Sequence, residues 1–318
     1  SPLSMAMAAE KTVVKLPEIN VVANLVEQKN ADTLAAVTVI DREEIGLKQF
    51  NSLQDLLRTI PSASYINYGG MGQITSLSIR GTNSNAVLVM VDGQKLASAT
   101  SGQTAFEHLP IDQIERVEVV RGPRSSLYGS EAVGGVIQIY TRKGATDGIK
   151  PYASLKYGSH QTFDANVGID IRKENSWASA SLAGLKTEGL DVLTSKTEQD
   201  KDGYQNVSAS LKAGHQFNDV VAIEFNALHV QGEAEFDGGV NPENEVQQNV
   251  YGAGLTFTPN DIWSSKLNLG ISQDKYESFD SKISTGAFDT EKQTISWLNT
   301  MKLNKNHSLV AGVDYLND

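Results

Sequence analysis

Apolar and polar positions along this 318-residue chain follow two rhythms, and the change comes near Pro151. Beyond it the period is two. Phe163, Ala165, Val167, Ile169 and Ile171 alternate with Asp164, Asn166, Gly168, Asp170 and Arg172. Val207, Ala209, Leu211 and Ala213 alternate with Asn206, Ser208, Ser210 and Lys212, and Leu267, Leu269 and Ile271 alternate with Lys266, Asn268 and Gly270. Successive side chains of a strand point to opposite faces, so each run predicts a strand with one apolar and one polar face. A half-buried sheet in water gives the same pattern.

The connections separate the two readings. Short turns are expected at Lys173–Ser176, Asn218–Asp219, Pro259–Asp261 and Asn304–Asn306. Long loops are expected at Gly189–Gly203, Ala234–Gln247 and Glu277–Glu291. Short connections at one end and long ones at the other are the habit of outer-membrane barrels. About nine strands fit, the last over Ser308–Tyr315. The expected fold class is an α+β domain followed by antiparallel transmembrane β-barrel strands.

Upstream the elements are mixed. Ala36–Ile40 predicts a strand, and Asp41 is a candidate N-cap with Glu44 three residues on. Asn51–Ile60 predicts a short helix with Leu53, Leu56, Leu57 and Ile60 on one face, closed by Pro61. Asp92-Gly93 is a hairpin turn between Val87–Val91 and Gln94–Leu96. Ile114–Thr141 holds two β-branched runs, Val117–Val120 and Val136–Tyr140, around a glycine- and proline-bearing turn. It predicts strand, short helical turn and returning strand. Tyr68–Thr75 is a glycine-rich loop without the Gly-Lys-Ser/Thr of a phosphate loop.

Composition removes several functions. The formal net charge of −11 argues against nucleic acid as a partner. No cysteine is present, which excludes disulfides and thiolate chemistry. No run of eighteen apolar residues predicts a membrane helix, a test that a barrel escapes. The histidines 108, 160, 215, 229 and 307 are scattered and no nucleophile elbow exists, so no enzyme is expected. His229 is expected to face a lumen. Ala6-Met-Ala8 reads as the end of an export signal or as an expression tag, so residues 1–8 are set aside.

Leu77-Ser-Ile-Arg-Gly81, Val87–Gly93, Arg121-Gly-Pro-Arg-Ser125 and Tyr128-Gly-Ser130 occur in that order. Together they resemble the plug domain of TonB-dependent outer-membrane receptors, over roughly Val14–Lys143. Ile79-Arg-Gly-Thr-Asn83 resembles the cobalamin-transporting branch of that family. The resemblance implies three segments: 1–30 with leader remnant or tag, Ton box and linker; 31–145 as plug; 146–318 as the N-terminal part of the barrel.

It also implies partners and sites. A Ton box falls on Glu18, Ile19, Asn20, Val21, Val22 and Ala23, which would pair by strand addition with the energy-transducing protein TonB; a flexible tail is the alternative reading. Ligand contacts carry over to Gln73, Ile74, Thr75, Ser76 and Asn83 on one apical loop, Thr100 and Ser101 on a second, and Gly238. Calcium ligands carry over to Asp191, Glu198, Asp200, Asp202, Phe236, Asp237 and Glu243. Asp200-Lys-Asp202 has the alternate acidic spacing that suits a hard cation. Arg80 and Arg121, expected to be buried, need carboxylate partners, either on the barrel wall or within the plug.

Nine strands leave open edges, and an open edge in hydrocarbon strands its polar groups. A domain of about 100 residues has a radius of gyration near ~13 Å, so only a barrel of about 22 strands encloses it. The expectation is the N-terminal part of a longer receptor, completed by a missing segment or by a complementary C-terminal chain. The expected function is TonB-energised import of cobalamin or a related corrinoid across the bacterial outer membrane, among its lipids. The alternatives are a siderophore or haem receptor of the same family, or a passive porin or adhesin.

Overall fold

The structure is a computed structural model that describes residues 20–21, 28–29, 36–96, 98, 102–144, 146–192, 201–238, 241–304 and 307–318. Two short strands come first, β1 (Asn20–Val21) and β2 (Gln28–Lys29), paired antiparallel. The plug follows: β3 (Ala36–Asp41), α1 (Arg42–Lys48), α2 (Leu53–Arg58), β4 (Ala63–Asn67), β5 (Thr75–Ile79), β6 (Val87–Val91), β7 (Gln94–Lys95), β8 (Ile114–Arg121), α3 (Ser125–Tyr128) and β9 (Gly135–Thr141). Both leading helices start on side-chain caps. Asp41 accepts from Glu44 N at 2.9 Å, and Ser52 accepts from Asp55 N at 3.1 Å. The leucine face of α2 is buried as its spacing predicts.

A five-stranded sheet in the order β3-β8-β9-β6-β7 forms the centre of the plug. The β6–β9 pair is parallel and the other neighbours are antiparallel. At the hairpin between β6 and β7, Asp92 and Gly93 both have positive φ, 47° and 84°, which matches a turn that twists with its strands. The strands β4 and β5 pair separately and carry the apical loop between them.

Nine antiparallel strands then run as a meander: β10 (Gly148–Gly158), β11 (Thr162–Lys173), β12 (Ser176–Leu190), β13 (Asp202–Gln216), β14 (Val221–Glu235), β15 (Pro242–Phe257), β16 (Trp263–Asp280), β17 (Ile283–Asn304) and β18 (His307–Asn317). In this sheet the usual polarity of a soluble protein is reversed. Val207 is 63% exposed while its neighbour Ser208 is 0% exposed. Leu182, Leu211, Leu269 and Ile271 point away from the plug, and Asn206, Ser210 and Lys212 point toward it. Apolar outside and polar inside is the arrangement of a barrel wall in lipid.

The wall also meets the plug with grease. Leu228, Val230 and Val250 belong to the same buried cluster as Leu53, Ile79 and Ile137 of the plug. Because Leu228 and Val230 point inward, His229 points outward, against the lumenal position expected of it. It hydrogen-bonds Asn249 Oδ1 at 2.7 Å.

Two of the three long loops are shorter than the sequence predicts. The ladder continues to Glu235↔Glu243 and to Asp280↔Ile283, where Ser281 and Lys282 turn the chain with φ of 50° and 66°. Above the lipid a strand needs main-chain partners but no apolar face. Its pattern fades although its hydrogen bonds persist.

Candidate functional site

The apical loop between β4 and β5 is built by amides and one hydroxyl. Asn67 Nδ2 donates to Gly70 O, Gln73 O and Thr75 Oγ1, and Gly69 N donates to Asn67 Oδ1. Gln54 Nε2 of α2 donates to the same Thr75 Oγ1 at 3.1 Å. Gly72 has φ +74°, and a Cβ there would strike the Tyr204 ring, so the loop lies flat on the wall. Gln73 Nε2 donates to Glu235 O and pins the loop to the end of β14.

Above the pinned loop is a cavity of about 630 Å3. Tyr68, Ile74, Phe236 and Tyr276 give it apolar sides, and Asp202, Asp237, Asn244 and Ser278 give it polar ones. Tyr68 and Ile74 are exposed to it. Gln73 borders it too, with its Nε2 donating to Glu235 O. Thr75 is buried inside the loop, where its Oγ1 donates to Gln73 O at 3.0 Å. Ser76 on β5 and the exposed Asn83 do not line the cavity. Gly238 is exposed beside Asp237. Thr100 and Ser101 lie outside the described residues. Asn244 and Ser278 line the cavity although both were expected in loops, and Tyr276, just before the second of those loops, lines it too; their signal was an aromatic beside polar residues at a strand's far end.

The expected calcium ligands are only partly brought together. Asp202 and Asp237 share the cavity rim, and Asp202 Oδ2 accepts from Val192 N at 3.3 Å. Asp191 is exposed at the end of the loop-facing segment. Glu243 lies opposite Glu235 in the ladder and borders a different hollow with Glu188 and Lys201. Glu198 and Asp200 lie outside the described residues. Among the described residues no three acidic or histidine side chains cluster as a metal would need.

Ion pairs hold the plug in the wall. Lys212 of β13 reaches Asp92 at 2.6 Å, with 5% and 2% of their side chains exposed. Asp92 also accepts from Thr141 N and Oγ1, so one carboxylate ties the plug hairpin, β9 and the wall. Lys156 of β10 bridges Asp112 at 2.9 Å and Asp164 at 3.0 Å. Lys292 of β17 meets Glu131 at 3.5 Å. Arg142 at the plug's end meets Asp170 of β11 at 2.8 Å. The sequence reading put this role on Arg80 and Arg121. Arg80 is exposed, and Arg121 donates to the carbonyls of Ala36 and Pro61 at 3.3 Å; among the described residues neither has the expected carboxylate.

A histidine sits in the same seam. His108 Nδ1 is 3.1 Å from Tyr204 OH, and its carbonyl accepts from Asn206 Nδ2 at 3.1 Å. Burial pushes its imidazole down to about 4. Burial pushes the neighbouring Glu107 carboxyl well above the usual carboxylate range, and the nearby Asp274 adds to it.

The profile of the TonB-dependent Receptor Plug Domain matches residues 29–136, which contain β3, β6, β7 and β8 of the central sheet and the start of β9. Over those residues the chain carries the plug domain of the TonB-dependent receptors of the outer membrane. It is 33% identical over 325 aligned residues to "Vitamin B12 transporter BtuB" of Vibrio vulnificus, covering 99% of this chain and 52% of that protein. Its likeness to "Vitamin B12 transporter BtuB" of Vibrio cholerae serotype O1 is 31% over 337 residues, covering 99% and 54%. The chain thus spans about half the length of the curated relatives it matches. Among solved structures, the siderophore receptor PiuA from Acinetobacter baumannii superposes with a TM-score of 0.72 at 17% identity, over 95% of this chain and 48% of that one. The ferripyoverdine receptor of Pseudomonas aeruginosa does so with 0.73 at 15%, over 93% and 44%. These structural likenesses share the fold of a TonB-dependent receptor: a plug seated against an antiparallel wall.

Proposed function

We propose that this receptor imports cobalamin or a related corrinoid across the outer membrane, driven from the periplasm by TonB. The lining of the apical cavity carries this reading. Among the described residues it holds aromatic, aliphatic, amide and hydroxyl groups, two aspartates, and no lysine or arginine. A corrin has apolar edges and neutral amide arms, which suit such walls. The names of the Vibrio relatives support the same cargo.

A siderophore is the second reading, because the solved neighbours include siderophore receptors. An anionic ferric chelate is best held by arginine or lysine, and this lining opposes it with Asp202 and Asp237. Haem would call for an axial ligand such as histidine, and the described lining has no histidine.

In this reading, residues 31–145 gate the barrel and residues 146–318 form part of its wall. Calcium is part of the proposal. Asp202 and Asp237, with Asp191 nearby, are the described donors that would hold it. The test is binding of cyanocobalamin against ferric siderophores by the intact receptor, with calcium and with a chelator. Cyanocobalamin should bind and the siderophores should not. Tyr276→Ala should weaken binding roughly ten- to hundredfold, the loss of about 1.5–3 kcal/mol of apolar burial. Siderophore binding without cyanocobalamin binding would overturn the cargo and leave the family untouched. Affinity indifferent to calcium would remove the ion alone.

The handle for TonB is proposed on Glu18–Ala23. Its described part, Asn20 and Val21, already accepts strand pairing, with Lys29 and Gln28. Glu18, Ile19, Val22 and Ala23 lie outside the described residues. Val21→Pro removes a main-chain donor. Uptake should fall to background while cyanocobalamin binding stays intact, and unchanged uptake would discard the segment as the handle.

A further inference from the structure

At the end of the wall that carries the short turns lies a second cavity, of about 490 Å3, between the β6–β7 hairpin and the inward faces of β12–β16. Two side-chain amides that line it are incomplete. Gln94 is 3% exposed, and its Oε1 has no partner among the described residues; its Nε2 reaches only Leu269 O, at 3.5 Å. Asn226 Nδ2 is buried and likewise has no partner.

The sheet register puts these two amides side by side. Asn226 is opposite Gly252, and Gly252 is opposite Gly270, on three successive strands. A Cβ on Gly252 would strike the Asn226 amide, and one on Gly270 would strike the Gln94 amide. Each amide therefore lies over one glycine of an adjacent pair, about one strand spacing, ~5 Å, from the other. One orphan is an acceptor and the other is a donor.

Charge does not select the occupant. Lys143 is paired with Glu224 at 3.1 Å and Asp92 with Lys212 at 2.6 Å. Arg172, Lys266, Glu174 and Asp219 also line the cavity, two of each sign. A phosphate or a polycation gains nothing here. A primary carboxamide carries an N–H donor and a C=O acceptor on one small group, and so answers both orphans at once.

We propose that this vestibule is a second, periplasm-facing cargo site, which takes a primary carboxamide of the cargo between Gln94 and Asn226 as the cargo leaves the plug. The proposal rests on the corrinoid reading for the identity of the cargo, and on the two amides for the site itself.

Two experiments test it separately. Crystals of the intact receptor soaked in propionamide should show that molecule bridging Gln94 and Asn226; an ordered water there at saturating propionamide would overturn the site. In outer-membrane vesicles, Gln94→Met and Asn226→Leu should each leave cyanocobalamin affinity unchanged and lower uptake several-fold. The double variant should be no slower than either single one, because both grip the same amide. Uptake at the unaltered rate in both variants would overturn the role in export. If the unaltered receptor binds no cyanocobalamin, the corrinoid reading fails, and the propionamide soak still decides the vestibule.

Discussion

Replacing Lys212 by Ala should loosen the plug by about 3–5 kcal/mol, because it leaves the Asp92 carboxylate buried without its cation. The pair is almost sealed from water, and Asp92 also holds Thr141 of β9. The loss therefore reaches the hairpin and the central sheet together. Urea unfolding of the plug within the intact receptor would read it as a lower midpoint. Lys212→Met with Asp92→Asn removes both charges and should restore much of the loss, since the desolvation of two ions disappears with their attraction. A Lys212→Ala plug as stable as the unaltered one would show that Thr141 alone satisfies Asp92. Lys156 gives the contrast: its side chain is 39% exposed, so water replaces its partners and its removal should matter far less.

Acid should loosen the same seam through His108. Its folded value of about 4 lies below the ordinary 6.5, so the unfolded plug takes up a proton that the folded plug refuses. The contribution is fully present above pH 6.5 and is lost as pH falls toward 4, by about 3 kcal/mol in all. Glu107 works the other way. Its folded value is raised, so its contribution is present below the ordinary carboxylate value and is lost as pH rises through the raised one. Urea midpoints of the plug between pH 4 and 7 separate them. His108→Gln should flatten the acid loss, and Glu107→Gln should steepen it. An acid profile that His108→Gln does not move would place the titrating group elsewhere.

Much of this architecture was legible in the residues. The alternation from Phe163 onward marked the wall strands, Asp92-Gly93 marked the hairpin, and the leucines of α2 marked the plug core. Each of these is a local pattern with a local cause. What escaped depended on contacts distant in sequence. Strict alternation at Val207–Ala213 reads the same whichever face meets the solvent; the connection lengths pointed to a barrel wall, and the plug lying on the polar face fixes the direction. His229 was placed on the wrong side because Leu228 and Val230 turn inward to touch the plug. The stretches Ala234–Gln247 and Glu277–Glu291 looked like loops because strands beyond the bilayer need no apolar face. Lysines 156, 212 and 292 gave no sign of gripping plug carboxylates, since a lone lysine on a strand is ordinary until the opposing acid is known. Of the apical residues, Ile74 reached the cavity, while Thr75 was consumed in building the loop.

The shared grease of plug and wall limits how the gate can move. Leu228, Val230 and Val250 would be laid bare if the plug slid out as a rigid cork, stripping oil from both partners and wetting a lumen that is polar elsewhere. A hinge that keeps this contact and yields beside it avoids that exposure. In the import proposed above, the aliphatic patch on β14 and β15 would then serve as the pivot, with the passage to one side of it.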